Sequence, residues 1–75
     1  MRVKLKKENE KKEVVAVDSI DVISDYVILC TKETTQLETF MELDIKYGGW
    51  FCINCSGWLS VDIPHEYIKE IDNRE

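Results

Sequence analysis

The feature that most constrains the fold is a pair of apolar runs near the end of the chain, separated by a short polar segment. Residues 50–53 read WFCI, residues 58–63 read WLSVDI, and residues 54–57 between them read NCSG. Two β-forming runs joined by a few polar residues that include glycine are typical of a β-hairpin. The sequence therefore predicts antiparallel β-structure here, and the other segments must be compatible with it.

The turn of this hairpin sets which side chains share a face. If Ile53 lies opposite Trp58, directly opposed residues project to the same side of the sheet. One face then carries Trp50, Cys52, Leu59, Val61 and Ile63, and we expect this face in the core. The other face carries Phe51, Ile53 and Trp58 beside Ser60 and Asp62.

The first half of the chain also favours strands. Residues 1–6 alternate apolar and basic side chains, which predicts a short edge strand, and residues 7–13 predict a charged turn. Residues 14–63 predict an antiparallel β meander, in which the Asp18-Ser19 step shifts the alternation as a bulge or tight bend would. Residues 26–30 are apolar throughout, as expected for a strand covered on both faces.

The segment 34–46 fits two templates. Seven alternating positions from Thr35 to Tyr47 favour a strand, with Phe40 as the exception. The alternative is a helix, because Leu37, Phe40, Met41 and Ile45 also fit one helical face. We expect the strand, and we expect Gly48-Gly49 to end the element in either case.

The last segment and the length complete the expected fold. Pro64 at a first-turn position predicts a short helix over 64–71, and a final strand is the alternative. A chain of 75 residues makes one small domain, 1–75, that buries only about 63% of its unfolded surface. The fold class is therefore mainly β (β-rich α+β): an antiparallel meander or small barrel of about five strands with a short C-terminal helix. A partner, a metal or a second copy would help to stabilise so small a core.

Charge and composition exclude several classes of function. Residues 1–12 sum to +4 and residues 13–75 to −9, so an acidic body disfavours direct binding to nucleic-acid phosphates. No apolar run is long enough for a membrane span, and the basic start does not lead into a signal sequence. An odd number of cysteines, three, agrees with a reducing compartment, and we expect a cytoplasmic protein.

The first candidate site is the second face of the hairpin. Phe51, Ile53 and Trp58 form an aromatic patch, with Tyr47 and Tyr67 as possible rim groups. Such groups dominate the buried centres of interfaces, so the patch favours a contact with a protein partner or with a second copy. The alternative is that residues 34–46 or the C-terminal segment cover it. A second hypothesis is an acidic inhibitor that covers a basic or nucleic-acid-binding surface of another protein.

The second candidate site is a C-x-x-C pair, Cys52 and Cys55, which could hold zinc across the turn. Four ligands would require Cys30 and His65 as well, or two copies that each donate the pair. The alternative is that Cys30 and Cys52 are small apolar residues of strands and that Cys55 is a turn residue. The pair Cys52 and Cys55 has no basic neighbour in sequence and no phosphate-binding loop is present, so we expect no enzyme and no obligatory cofactor.

Overall fold

Two antiparallel sheets and one α-helix make up the protein in a computed structural model, which describes residues 1–73. The elements are β1 (Arg2–Leu5), β2 (Glu13–Ala16), β3 (Ser19–Ile23), β4 (Tyr26–Thr31), α1 (Leu37–Tyr47), β5 (Trp50–Ile53), β6 (Leu59–Pro64) and β7 (Ile68–Asp72), with single 3-10 turns at Thr34–Gln36 and His65–Tyr67. The strand orders are β2-β1-β7 and β3-β4-β6-β5. The prediction of a mainly β antiparallel fold is confirmed, with seven strands in two sheets where about five were expected; within residues 1–73 no closed barrel is found.

The three-stranded sheet corrects the prediction for residues 1–6. β1 is a central strand, because β2 pairs with one of its edges and β7 with the other. Val3 and Leu5 are fully buried, whereas the outward Lys4 forms an ion pair with Glu70 at 3.1 Å. The alternation was correctly recognised, but it does not show how many neighbours a strand has. The second neighbour comes from the far end of the chain.

The predicted bend at Asp18-Ser19 is confirmed, and it is where the chain passes from one sheet to the other. β2 ends before Val17 and β3 begins at Ser19. Asp18 Oδ2 accepts hydrogen bonds from the Lys32 backbone N–H at 2.7 Å and from the Thr31 hydroxyl at 3.1 Å. The Lys32 bond is the main reason that the pKa of Asp18 lies below its ordinary value. The carboxylate therefore ties the bend to the end of β4.

The strand expected over 34–46 is wrong, and the helical alternative describes this segment. Phe40, Leu43 and Tyr47 are buried along one side of α1, which packs on β6 and β5. Both templates fit the sequence, and the helix buries Phe40, the residue that broke the alternating pattern. The helix ends as expected, because Gly48 adopts a left-handed φ of 69°. Gly49 then lies so close to the Asp62 carbonyl that no Cβ could fit.

The short helix expected over 64–71 is also wrong. One 3-10 turn at His65–Tyr67 leads into β7, and the Lys6 N–H donates to the Tyr67 carbonyl at 3.0 Å. A strand here satisfies the second edge of β1 and lets Ile68 pack against the core, which a helix of one or two turns would not do. The alternative of a final strand is therefore correct, as the edge of a sheet.

The core lies between the sheets and α1. Its buried members are Val3, Leu5, Val15, Val17, Val27, Leu29, Phe40, Leu43, Tyr47, Leu59, Val61 and Ile63. The side of the four-stranded sheet that faces this core is called the inner face below. In residues 1–73 no helix is long and apolar enough to cross a membrane.

Candidate interaction surface

The β5–β6 hairpin has a register one residue away from the expected one. Ile53 lies opposite Leu59, Phe51 opposite Val61 and Trp50 opposite Asp62. Because side chains alternate with a period of two, this shift moves the β5 side chains to the other face, whereas Leu59, Val61 and Ile63 of β6 lie in the core as expected. Phe51 and Ile53 lie on the inner face, and Trp50 and Cys52 lie on the opposite face.

Asn54 explains the shift, because it lengthens the turn to five residues. Its side-chain Oδ1 accepts hydrogen bonds from the backbone N–H groups of Ser56 at 2.9 Å and Trp58 at 3.0 Å. Its own N–H donates to the Trp58 carbonyl at 3.0 Å, and Gly57 takes a positive φ of 86°. An asparagine that bonds its own following backbone is a common turn former. Trp58 therefore belongs to the turn and does not face Ile53.

The opposite face of the four-stranded sheet, here called the outer face, is not covered by any element of residues 1–73. By register its side chains are Ser19, Asp21, Ile23, Tyr26, Ile28, Cys30, Trp50, Cys52, Ser60, Asp62 and Pro64. Trp50 is 71% exposed and Tyr26 46% exposed, and Ile23 is also exposed. Large side chains that are left in water on a sheet face indicate a contact surface.

The charge on the outer face is of one sign. Asp21 and Asp62 lie in the same cross-strand row as Ile28 and Trp50, and no lysine or arginine is among the side chains of this face. A cation does reach its margin, where Lys32 Nζ lies 4.9 Å from the centroid of a Trp58 ring. A shallow groove of about 450 Å³ runs from Asp21 past Ile28 and Cys30 to Trp58. The surface thus combines aromatic rings, carboxylates and a groove.

The structure separates the five residues expected to form the aromatic patch. Phe51 is half-buried against the core, Ile53 is 53% exposed at the margin of the inner face, and Trp58 lies in the turn. Tyr47 is buried and its ring packs against Tyr67, with centroids 5.3 Å apart. Phe51 and Ile53 therefore share the inner face, on which α1 packs as the alternative expected of residues 34–46, but Trp58 does not join them. The two tyrosines form a separate contact.

Tyr47 belongs to a network of polar side chains that stabilises the fold. Its hydroxyl donates to Glu13 Oε1 at 2.6 Å, and Glu13 also pairs with Lys46 at 3.1 Å. Burial, followed by the bond to Glu13, raises the pKa of the Tyr47 hydroxyl, and the Glu13 bond raises the pKa of Lys46. This network joins the end of α1 to β2.

The four expected zinc ligands do not meet within one chain. Cys30 and Cys52 lie in one cross-strand row, but Ser60 on β6 separates them, which places their Cα atoms about 10 Å apart. His65 follows the far end of β6, whereas Cys55 lies in the turn at the near end. In the described part of the chain, no three His, Cys, Asp or Glu side chains are grouped as for a metal ion. A site completed by two copies stays a prediction.

Sequence reasoning placed Trp50 in the core, and it grouped three apolar residues of α1 with the buried Phe40 on one helical face, whereas in the structure they form an exposed stripe. Leu37, Met41 and Ile45 are spaced four residues apart and are all exposed. The signal for Trp50 was Asn54, since recognising its turn would have corrected the hairpin register. The signal for the stripe was that the apolar residues of α1 cover more of the helix circumference than the side that packs on the core.

Comparison with known proteins adds no assignment, because no family model, curated protein or solved structure matches this chain. The proposals below therefore depend on the surface of the protein. The outer face and the β5 edge are the parts of that surface that its own packing does not explain.

Proposed function

We propose that this protein is a small interaction domain that binds a protein partner through the outer face, with Trp50 at the centre of the contact. The observation that carries the proposal is the 71% exposure of the Trp50 side chain on a sheet face that no element of residues 1–73 covers. Tryptophan and tyrosine present a large apolar area at a low entropic cost, and they are enriched among the residues that dominate binding energy. The aromatic contact expected from the sequence is thus assigned to the other face of the same hairpin.

The position of the aromatic residues supports this assignment. Trp50 on the edge strand β5 and Tyr26 on β4 project from the same face, with the backbone of the sheet holding both. Ile23 extends the apolar area on β3, and Ile28 lies in the same cross-strand row as Trp50. A rigid sheet face presents these groups without the ordering cost of a loop.

The acidic side chains favour a second candidate, in which the partner surface is basic. Asp21 and Asp62 lie beside the exposed rings without a compensating lysine or arginine on the face. Carboxylates attract cationic side chains, and aromatic faces bind cations, as the Lys32–Trp58 contact illustrates. In this version the protein acts as an inhibitor that covers a basic surface of its partner.

Photo-crosslinking tests the proposal directly. A photoreactive benzoylphenylalanine replaces Tyr26 on the outer face in one variant, and it replaces Val14 on β2, which is 55% exposed, in the matched control. In an extract of the source cells we expect a defined protein adduct from position 26 and none from position 14. The absence of an adduct at position 26, or the same adducts at both positions, would overturn the proposal.

The dependence of the crosslinking yield on salt concentration distinguishes an aromatic contact from a contact with a basic surface. Between about 0.01 M and 1 M salt the screening length falls from about 30 Å to about 3 Å. An adduct yield that is unchanged across this range indicates that the aromatic contact dominates. A yield that falls steeply indicates the basic partner, because long-range attraction to the carboxylates is then lost.

A further inference from the structure

The edge strands of the two sheets differ in their charge. β2 carries Glu13, β3 carries Asp21 and β7 carries Lys69 with Glu70, whereas the sequence of β5, WFCI, carries no charge at all. Charged side chains on an edge strand prevent pairing with other chains. In the described part of the chain, β5 is the edge strand that has no such protection.

The hydrogen bonds of the hairpin show which backbone groups β5 leaves free. The Asn54 N–H donates to the Trp58 carbonyl, in the same register as the pairs along β5 and β6. Since bonded and non-bonded pairs alternate in an antiparallel ladder, Cys52 and Trp50 are the next residues bonded to β6. The N–H and C=O groups of Phe51 and Ile53 therefore point away from β6, towards the open edge.

We propose that the β5 edge binds the β5 edge of a second copy of this chain, antiparallel and about a twofold axis at Cys52. In this register Phe51 of each copy lies opposite Ile53 of the other, so both outward N–H and both outward C=O groups of each strand are paired. A register centred on Phe51 would pair Ile53 with Gly49, whose N–H already donates to the Asp44 carbonyl. This register gives both copies the same bonds about the twofold axis, and the uncharged sequence of β5 places no side chain that opposes the pairing of two copies.

The side chains agree with this pairing. On the inner face, the 53% exposed Ile53 would pack against the second copy's Phe51, and on the outer face the two Cys52 side chains would be neighbours. No like charges oppose each other anywhere along the two β5 strands, although the whole chain carries a net charge of −5. The two sheets would then form one sheet of eight strands.

The exposed stripe on α1 supplies the additional apolar area that a four-residue edge lacks. Lys46 marks the flank of α1 that faces β2, where it pairs with Glu13. At 3.6 residues per turn, Leu37 and Met41 lie on the other flank, and α1 also contacts β5. Pairing at β5 would place the α1 helices of the two copies on the same face of the joined sheet, one on each side of the twofold axis. The flanks that carry Leu37 and Met41 would then face each other. A stable interface generally needs about 1,200 Å² in total, more than an edge strand alone provides.

Sedimentation equilibrium tests the dimer. We expect the average mass of wild-type protein to rise from 8.8 kDa towards twice that value as the concentration is raised to about 1 mM, where even a millimolar complex is partly populated. Ile53→Lys should weaken association at least about tenfold, since it places a charge in the apolar contact next to the axis. The matched control is Val22→Lys, which changes a 57% exposed residue on the β3 edge and should leave the dimer intact. A monomeric wild type, or an Ile53→Lys variant that associates like the control, would overturn the proposal.

Disulfide formation tests the register and does not depend on the stability of the Ile53 variant. A Cys30→Ser/Cys55→Ser chain keeps only Cys52, and antiparallel non-bonded pairs place Cα atoms about 4.5 Å apart, within disulfide range. Diamide takes up the two hydrogens as two Cys52 thiols form one disulfide. We expect rapid conversion to covalent dimer, and slow conversion of a Cys30→Ser/Cys52→Ser chain that keeps only Cys55. Equal rates in the two chains would contradict the register.

Discussion

The two faces of the four-stranded sheet differ in the type and the exposure of their apolar side chains. On the inner face Val27, Leu29, Val61 and Ile63 are fully buried and aliphatic, whereas the outer face exposes Trp50 and Tyr26. Aliphatic side chains fill a core without polar atoms to satisfy, and tryptophan or tyrosine can also tolerate water. The inner face therefore supplies stability, and under our proposal the outer face supplies the contact. Substitutions should therefore separate the two properties.

The largest effect should come from the core. Phe40→Ala removes a fully buried ring from α1 and should lower the free energy of unfolding by about 3–5 kcal/mol. Urea denaturation measures this loss, with Glu42→Ala on the exposed side of the same helix as the control. If Glu42→Ala were as destabilising as Phe40→Ala, the assignment of the buried side of α1 would be wrong.

A smaller effect is expected where α1 meets β2. Tyr47→Phe removes the hydrogen bond to Glu13 and should cost about 1 kcal/mol in urea denaturation at neutral pH. Because folding raises the pKa of the Tyr47 hydroxyl, its contribution is complete below about pH 10 and is lost as the pH rises further. The wild type should therefore lose stability above pH 10 more steeply than Tyr47→Phe. Parallel alkaline profiles would contradict this account of the network.

Acid should weaken the bend between the sheets. The pKa of Asp18 is lowered in the folded state, so its contribution is present above the ordinary aspartate pKa near 4 and is lost as the pH falls through the lower folded value. Asp18→Asn should thus be less stable than wild type at neutral pH, and the difference should shrink in acid. Urea midpoints between about pH 2 and 7 measure it. A difference that is the same at every pH would show that the carboxylate charge is not what matters.

The smallest effect on stability is expected from the most exposed ring. Trp50→Ser on the outer face should change the free energy of unfolding by no more than about 0.5 kcal/mol, as for other surface substitutions. Thermal and urea unfolding check this against the wild type. A loss of several kcal/mol would mean that Trp50 belongs to the fold, and the contrast between the faces would fail.

The sequence correctly located β3 and β4 and the bend at Asp18. The expectation that residues 26–30 are covered on both faces was wrong, because Tyr26 on the outer face is 46% exposed. The sequence could not decide between strand and helix for α1, because the two patterns overlap and the cover that the inner face requires is a tertiary property. The position of β1 in its sheet depended on β7, which is more than sixty residues away in the chain. The residues of a strand do not by themselves indicate a pairing partner that is so distant in the sequence.

The candidate surface was harder to predict than the fold, because it depended on a single turn. The hairpin was correctly located and so was the core side of β6, yet one extra residue in the Asn54 turn reversed the faces of β5 and moved Trp50 from the expected core to the surface. The aromatic composition therefore pointed to the right hairpin but to the wrong side of it. Because side chains in a strand alternate between two faces, an error of one residue in the register reverses the face of every side chain in that strand.

The central claim is that the outer face binds a partner. The most direct test is a binding assay in which Trp50→Ser is compared with wild type for binding of the protein identified by crosslinking at position 26. Immobilised wild type, Trp50→Ser and the control Val14→Ser would be incubated with that partner, and the bound amount measured by quantitative mass spectrometry. We predict at least about a tenfold loss for Trp50→Ser and none for Val14→Ser, since a central tryptophan contributes about 2 kcal/mol or more to such contacts. Equal retention by a folded Trp50→Ser chain would contradict the account.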